Sequence, residues 1–260
     1  MFTFLISAIK IIFLLGFLIL IHETGHFVVA KLCKVRVNEF AIGFGPTIWK
    51  KQGKETKYAL RLIPLGGFIS MEGEEELSDK EGSFSKASIP KRVAIVAAGA
   101  IVNIIFALIV YFILATSYNF QVTNNWSSAL TFAGEKTGTF ITSTFEGLKQ
   151  LFTGKSGLDQ MMGPVGISEV VAKTNGMFEF INMIAIVSLS LGVTNLLPIP
   201  ALDGGKILLL IIEAIRKKPL SQRIEINIQL LGFSFIIILA LFVIYNHRSN
   251  INRLLEGKEN

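Results

Sequence analysis

The chain has 260 residues, of which 51% are hydrophobic and only 17% charged, with a mean hydropathy of +0.57. A soluble domain carries nearer a quarter charged residues, so the composition excludes an ordinary soluble enzyme and commits most of the length to a bilayer. The net charge of +6 does not mark a nucleic-acid binder, because the basic residues sort by side of the membrane, and the single cysteine, Cys33, excludes an internal disulfide.

Residues 2–30 predict one long apolar helix, interrupted by Lys10 and by His22, Glu23 and His26. About 20 apolar residues suffice to span. A cleaved signal peptide is the competing reading, disfavoured by the length of the run and the lack of a small-x-small cleavage site. Lys10 is close enough to the start to snorkel. On a helix, His22 and His26 share a face, a spacing that lets two imidazoles grip one metal ion. Glu23, beside the first of them, is placed to take a proton from a water at that ion. Three ionisable groups within five residues of a lipid-type segment are costly unless paired or metal-bound.

Residues 31–92 hold 12 of the 25 basic residues. Within them, 40–46 and 58–71 read as short strands, from their alternation, aromatic residues and Gly-Gly or Gly-Pro punctuation. They are unusually apolar for a solvated loop, which predicts a small membrane-associated β element over about 38–74. Glu72, Glu74, Glu75 and Glu76 read as a solvated loop.

A second span is expected at 93–116, with Asn103 its one strongly polar side chain. An interhelical hydrogen bond and a hydrogen bond near the metal site or the substrate explain Asn103 equally well. Residues 137–152 predict an amphipathic helix at the membrane surface, with Phe140, Ile141, Phe145, Leu148 and Phe152 at helical spacing, and 162–167 a Gly/Pro turn. A third span covers 180–202. Pro198 and Pro200 cannot continue a regular helix, so the backbone should open just before Asp203, and irregular backbone at membrane depth is tolerated where it lines a polar cavity. Taken alone, Asp203 reads as the N-cap of a helix over 206–216. A two-histidine site lacking a third ligand moves the balance to metal ligand. A fourth span covers 228–245, and His247 lies past its end, exposed.

Segments 31–92 and 203–227 fall on one side and carry 12 and 5 basic residues; segments 117–178 and 246–260 fall on the other and carry 4 and 3. The positive-inside rule places the first pair in the cytoplasm and both termini outside. That topology brings the ends of the first and third spans to the same half of the membrane, where His22, His26 and Asp203 can meet. The fold expected is an all-α polytopic membrane protein with four transmembrane helices and a small β element in the first cytoplasmic loop.

His22-Glu-Thr-Gly-His26 in a first span, with Asn195-x-x-Pro-x-Pro-x-Leu-Asp-Gly-Gly205 ending a third, resembles the site-2 protease family of intramembrane zinc metalloproteases. Gly-Phe-Gly-Pro at 43–46, Pro-Leu-Gly-Gly-Phe at 64–68 with Met-x-Gly-Glu to 74, and Ala98-Gly-Ala-Ile-Val-Asn103 resemble the regulator-of-sigma-E-protease branch. Ala100 stands where that branch has proline. The resemblance implies that His22, His26 and Asp203 hold one zinc ion and that Glu23 is the general base and later the acid. It implies that Asn195, with Pro198, binds the substrate backbone or steadies the opened segment, and that the loop around Ile63–Ile69, with Gly66 and Gly67, adds unwound substrate as a strand. Asn103 joins these supporting residues. About 60 residues separate the second and third spans, too few for the PDZ domain of many relatives, so one protease domain over 1–260 without PDZ is expected.

The expected activity is zinc-dependent endopeptidase cleavage of transmembrane segments in the inner membrane. Substrates would be single-span membrane proteins such as anti-sigma factors or remnant signal peptides, trimmed first by a site-1-type protease; nucleic acid is not a partner. The alternatives are a metal-binding membrane transporter, disfavoured by the lack of inverted repeats, and a non-catalytic scaffold, disfavoured by the presence of Glu23.

Overall fold

The computed structural model describes residues 2–153, 170–171, 174 and 176–246, apart from 75 and 77. The turn expected at 162–167, and His247, lie outside the described residues. The helices are α1 (Phe2–Leu32), α2 (Ile89–Thr123), α3 (Trp126–Phe152), α4 (Met177–Asn195), α5 (Asp203–Arg216) and α6 (Gln222–Asn246). Four of them, α1, α2, α4 and α6, contain stretches long and apolar enough to cross a membrane. One antiparallel pair of strands, β1 (Val37–Gln52) and β2 (Lys57–Met71), follows α1.

The described residues group into two compact units, Ile11–Ala107 with Ile186–Leu231, and Met1–Lys10 with Leu108–Ala185 and Gly232–Asn260.

In the first unit, α1 is apolar all round, yet its burial follows a single row. Leu14, Leu18, His22, His26 and Ala30 are buried, each four residues from the last, while Phe13, Val28 and Leu32 on other faces are exposed. Residues four apart on a helix stack on one face, so the histidines continue the packed stripe of the helix. Below them lies a core of Ala30, Val35, Val37, Met71, Phe84, Ile95, Val96 and Leu210, which binds α1, the ends of both strands, the start of α2 and α5 together. Arg92 of α2 donates to Glu213 of α5, one contact being 3.2 Å.

The strands are longer than expected. β1 runs on through Thr47–Gln52, past Pro46, which the sequence reading took as its end; proline is tolerated at bulges and edges. The register doubles, Phe40 facing both Ile69 and Tyr58, and Ala41 both Phe68 and Ala59. Gly43 and Gly45, at φ +85° and +80°, make the bend that allows this, and a Cβ at Gly43 would lie 2.7 Å from the Ile63 carbonyl oxygen. Residues 67–71 pair with β1 along one edge only; among the described residues their second edge has no strand partner.

In the second unit α3 folds back along the end of α2. Phe120 stacks on Trp126, Tyr118 lies by Phe132, and Tyr111 stacks on Phe140 at 4.3 Å between ring centroids. The helix therefore starts at Trp126, not near 137, and Phe145, expected on its apolar face, is 59% exposed. The Nζ of Lys10 donates to the carbonyl and hydroxyl oxygens of Thr174 at 2.8 and 3.2 Å.

Candidate metal centre

The chain turns sharply after α4. The helix ends at Asn195, a run of turns covers 196–202, and α5 begins at Asp203, three residues earlier than expected. The N-cap of α5 is Leu202, with no side-chain capping bond, so Asp203 is not the N-cap. Tight packing fixes this corner: a Cβ on Gly204 would lie 2.2 Å from the Leu197 carbonyl oxygen, and one on Gly205 2.3 Å from that of Ile199. Ala201 is held at φ +75°, and its N–H donates to Oε1 of Gln229 in α6 at 2.7 Å. Such a conformation costs a non-glycine residue about 1–3 kcal/mol, and the Gln229 bond helps to offset it.

Asp203 Oδ2 then lies 3.1 Å from His22 Nε2 and 3.4 Å from His26 Nε2, and the two Nε2 atoms are 3.1 Å apart. Zinc bound at the usual nitrogen and oxygen distances has tetrahedral edges of about 3.3 Å, the size of this triangle. His26 Nδ1 lies 2.8 Å from the Ile95 carbonyl oxygen; an acceptor there requires Nδ1–H, which leaves Nε2 of a neutral ring bare. Asp203 Oδ2 is buried without a hydrogen-bond partner. Bare lone pairs converging at this spacing repel unless a cation sits among them, so two imidazoles and a carboxylate here fit a divalent metal.

The neighbouring helix leaves room for such an ion. A Cβ on Gly99 of α2 would stand 2.4 Å from His26 Nε2 and 2.8 Å from His22 Nε2. Gly25 permits the approach, since a Cβ there would meet the Ala98 carbonyl oxygen at 2.6 Å. Asn103, wholly buried, places its side-chain amide 3.5 Å from His22 Nδ1, and its Oδ1 has no other partner. A half-turn of that amide lets Oδ1 accept the Nδ1–H of His22, which fixes the ring with Nε2 bare. The structure thus joins the two explanations of Asn103, an interhelical bond that ends on a candidate ligand. Ala100 leaves α2 continuous, and its carbonyl oxygen packs against Gly192 of α4.

Glu23 projects from the same turn as His22. Gly67 of β2 lies beside it, so close that a Cβ would be 3.4 Å from Glu23 Cγ. Gly66, at φ +146°, sits under the Phe44 ring. Asn195 ends α4 just before the turn and Pro198 lies within it, Asn195 half-buried and Pro198 exposed. Gly99, the Ile95 carbonyl and Gln229 were missed by sequence reasoning. Only Gly99 carried a signal, its position one turn before Asn103 on the same face of an uncharged span.

Residues 10–239 match the sequence profile of peptidase family M50. A Clostridium acetobutylicum protein, provisionally named a zinc metalloprotease, is 30% identical over 315 residues, covering 88% of this chain and 93% of its own. Zinc metalloprotease RasP of Bacillus licheniformis is 23% identical over 411 residues, covering 92% and 98%, and that of Geobacillus kaustophilus 24% over 408, covering 92% and 97%. These alignments are longer than the chain, so the relatives carry internal segments that it lacks. With a match over that range, and an H-E-x-x-H helix meeting an aspartate at metal-ligand spacing, the chain belongs to peptidase family M50.

Proposed function

We propose that this protein is a zinc-dependent intramembrane endopeptidase that cleaves transmembrane segments of other membrane proteins. The observation that carries it is the triangle of His22 Nε2, His26 Nε2 and Asp203 Oδ2, all within 3.4 Å, with Glu23 one residue from the first ligand and Gly67 of β2 packed beside Glu23. His22, His26 and Asp203 would hold zinc, which when bound polarises a carbonyl and makes water more acidic. Glu23 takes the proton of the attacking water and returns it to the leaving amine. A transmembrane helix hides its peptide bonds, so the substrate must unwind first, and the free edge of residues 67–71 offers it backbone partners. Asn195 and Pro198 would steady the turn or the substrate on the other side. Asn103 acts through His22, and Gln229 through the turn that carries Asp203.

The four apolar helices are read as spans of the inner membrane, with the strands and α5 on the cytoplasmic side and both termini outside, in line with the distribution of basic residues. Single-span proteins such as anti-sigma factors or remnant signal peptides, already shortened outside by another protease, fit as substrates. The chain is read as one protease domain, and the internal segments that its relatives carry fit the missing PDZ filter. Peptidase family membership leaves the transporter alternative without support.

The test is cleavage of a tagged single-span substrate by the purified protein in detergent, wild type beside Glu23→Gln, with and without a zinc chelator. Cleavage by wild type alone, abolished by chelator, with zinc retained in the variant, is the expected result. Equal cleavage by Glu23→Gln sinks the mechanism.

A further inference from the structure

The loop after β2 reaches across to the helix that carries Asp203. Glu74 Oε1 and Lys206 Nζ are 2.6 Å apart, each side chain about one-fifth exposed, although 132 residues separate them. Lys206 lies three residues after Asp203 in α5, so the two share a face of that helix. Its ammonium also lies 5.1 Å from the centre of the buried Phe84 ring, a contact that favours the cation there. Glu72, by contrast, is held by Ser78 and Lys80 of its own loop and by Asn38 of β1. Glu74 reaches α5 instead.

The turn itself is stiff. Gly73 has φ +72° and is packed so closely on Ser83 that a Cβ would fall 1.9 Å from its Oγ. Phe84 N–H donates to the Glu72 carbonyl at 2.7 Å, and Glu72 N–H to that of Arg36 at 2.9 Å. At the other end of the same strand segment, Gly67 lies against Glu23. The strand segment thus packs beside the Glu23 side chain at one end and is tied to the third ligand's helix at the other.

We propose that the Glu74–Lys206 pair is a positioning contact that sets the register between the β2 edge and Asp203, and so selects which peptide bond of an added strand meets Glu23. This rests on the strand-addition reading above. Side chains on a strand repeat every two residues, so a loosened register shows as cleavage at bonds two residues from the normal one.

The experiment uses the full chain in detergent with a tagged single-span substrate, comparing wild type, Glu74→Gln, Lys206→Met and the charge-reversed double variant Glu74→Lys with Lys206→Glu. The readouts are kcat, KM, bound zinc and the product termini by mass spectrometry. Each single variant should retain zinc, lose about tenfold in kcat from misplacement of the bond, keep KM, and add cleavage at bonds two residues from the normal one. The double variant should restore a single product. A single unshifted product at wild-type rate overturns the proposal, as does a rate loss that only tracks lost zinc. Wild type that holds zinc and leaves the substrate whole overturns the proteolytic reading on which it stands.

Discussion

The two halves of the candidate centre are built in opposite ways. His22, Glu23 and His26 stand on a regular helix of 31 residues, in a row that is buried from Leu14 to Ala30. Asp203 stands at the exit of a seven-residue turn with two prolines and an alanine at positive φ, and the two glycines that follow it in α5 are pressed against carbonyls of that turn. In the helical half the spacing of ligands follows from local geometry, and neighbours need only leave space. In the turn half the ligand arrives where it does because the start of α5 packs on the turn's own carbonyls and Gln229 of α6 holds Ala201. A metal site made this way tolerates little change in either half, for different reasons.

The sharpest way to break the comparison is to remove one ligand from each half. His26→Ala and Asp203→Ala should each lose stoichiometric zinc and cut cleavage by at least the ~10²–10⁴-fold that loss of a general base brings; metal analysis beside the cleavage assay checks this. Retained zinc in Asp203→Ala would assign the third ligand elsewhere. Next in size is Gly99→Ala, which removes no ligand but drives a methyl into the two imidazoles. Its methyl, 2.4 Å from His26 Nε2, should displace the ion, seen as zinc loss with the helical content unchanged by circular dichroism.

Asn103→Leu tests how the helical half is aimed. Removing the partner of His22 Nδ1 should weaken zinc binding by about 10–100-fold, measured by competition with a chelator, while Asn103→Asp, which keeps an acceptor, should keep most of it. The smallest effect belongs to Gln229→Leu in the turn half. Freeing the Ala201 N–H exposes about 1–3 kcal/mol of backbone strain, which should lower the thermal midpoint by a few degrees and soften zinc affinity several-fold. An unchanged midpoint would mean that Gly204 and Gly205 alone secure the corner.

The helical half was legible because four-residue spacing is a property of the helix and needs no partner. The opening before Asp203 was legible for a similar local reason, since Pro198 and Pro200 lack the N–H that a helix requires. The extension of β1 past Pro46 was not, because whether a proline ends a strand depends on which edge and which bulge it occupies, here next to the Gly43–Gly45 bend. The start of α3 at Trp126 was not legible either, because the rings that hold it belong to α2. Nor was the partner of Lys10, since Thr174 is 164 residues away.

By itself the sequence determined that the chain has four apolar helices, that two histidines and a glutamate share one turn, and that the backbone breaks before an aspartate. Each rests on interactions within a few residues, where spacing and chemistry suffice. Only the tertiary structure decided that Asp203 turns toward the histidines and does not cap its helix, that Gly99 leaves the space an ion needs, that Asn103 and the Ile95 carbonyl aim the rings, and that Glu74 reaches Lys206. Those contacts join residues 69 to 181 positions apart. Their distances are set by how α1, α2 and α5 pack around one core, a quantity that no local pattern in the chain encodes.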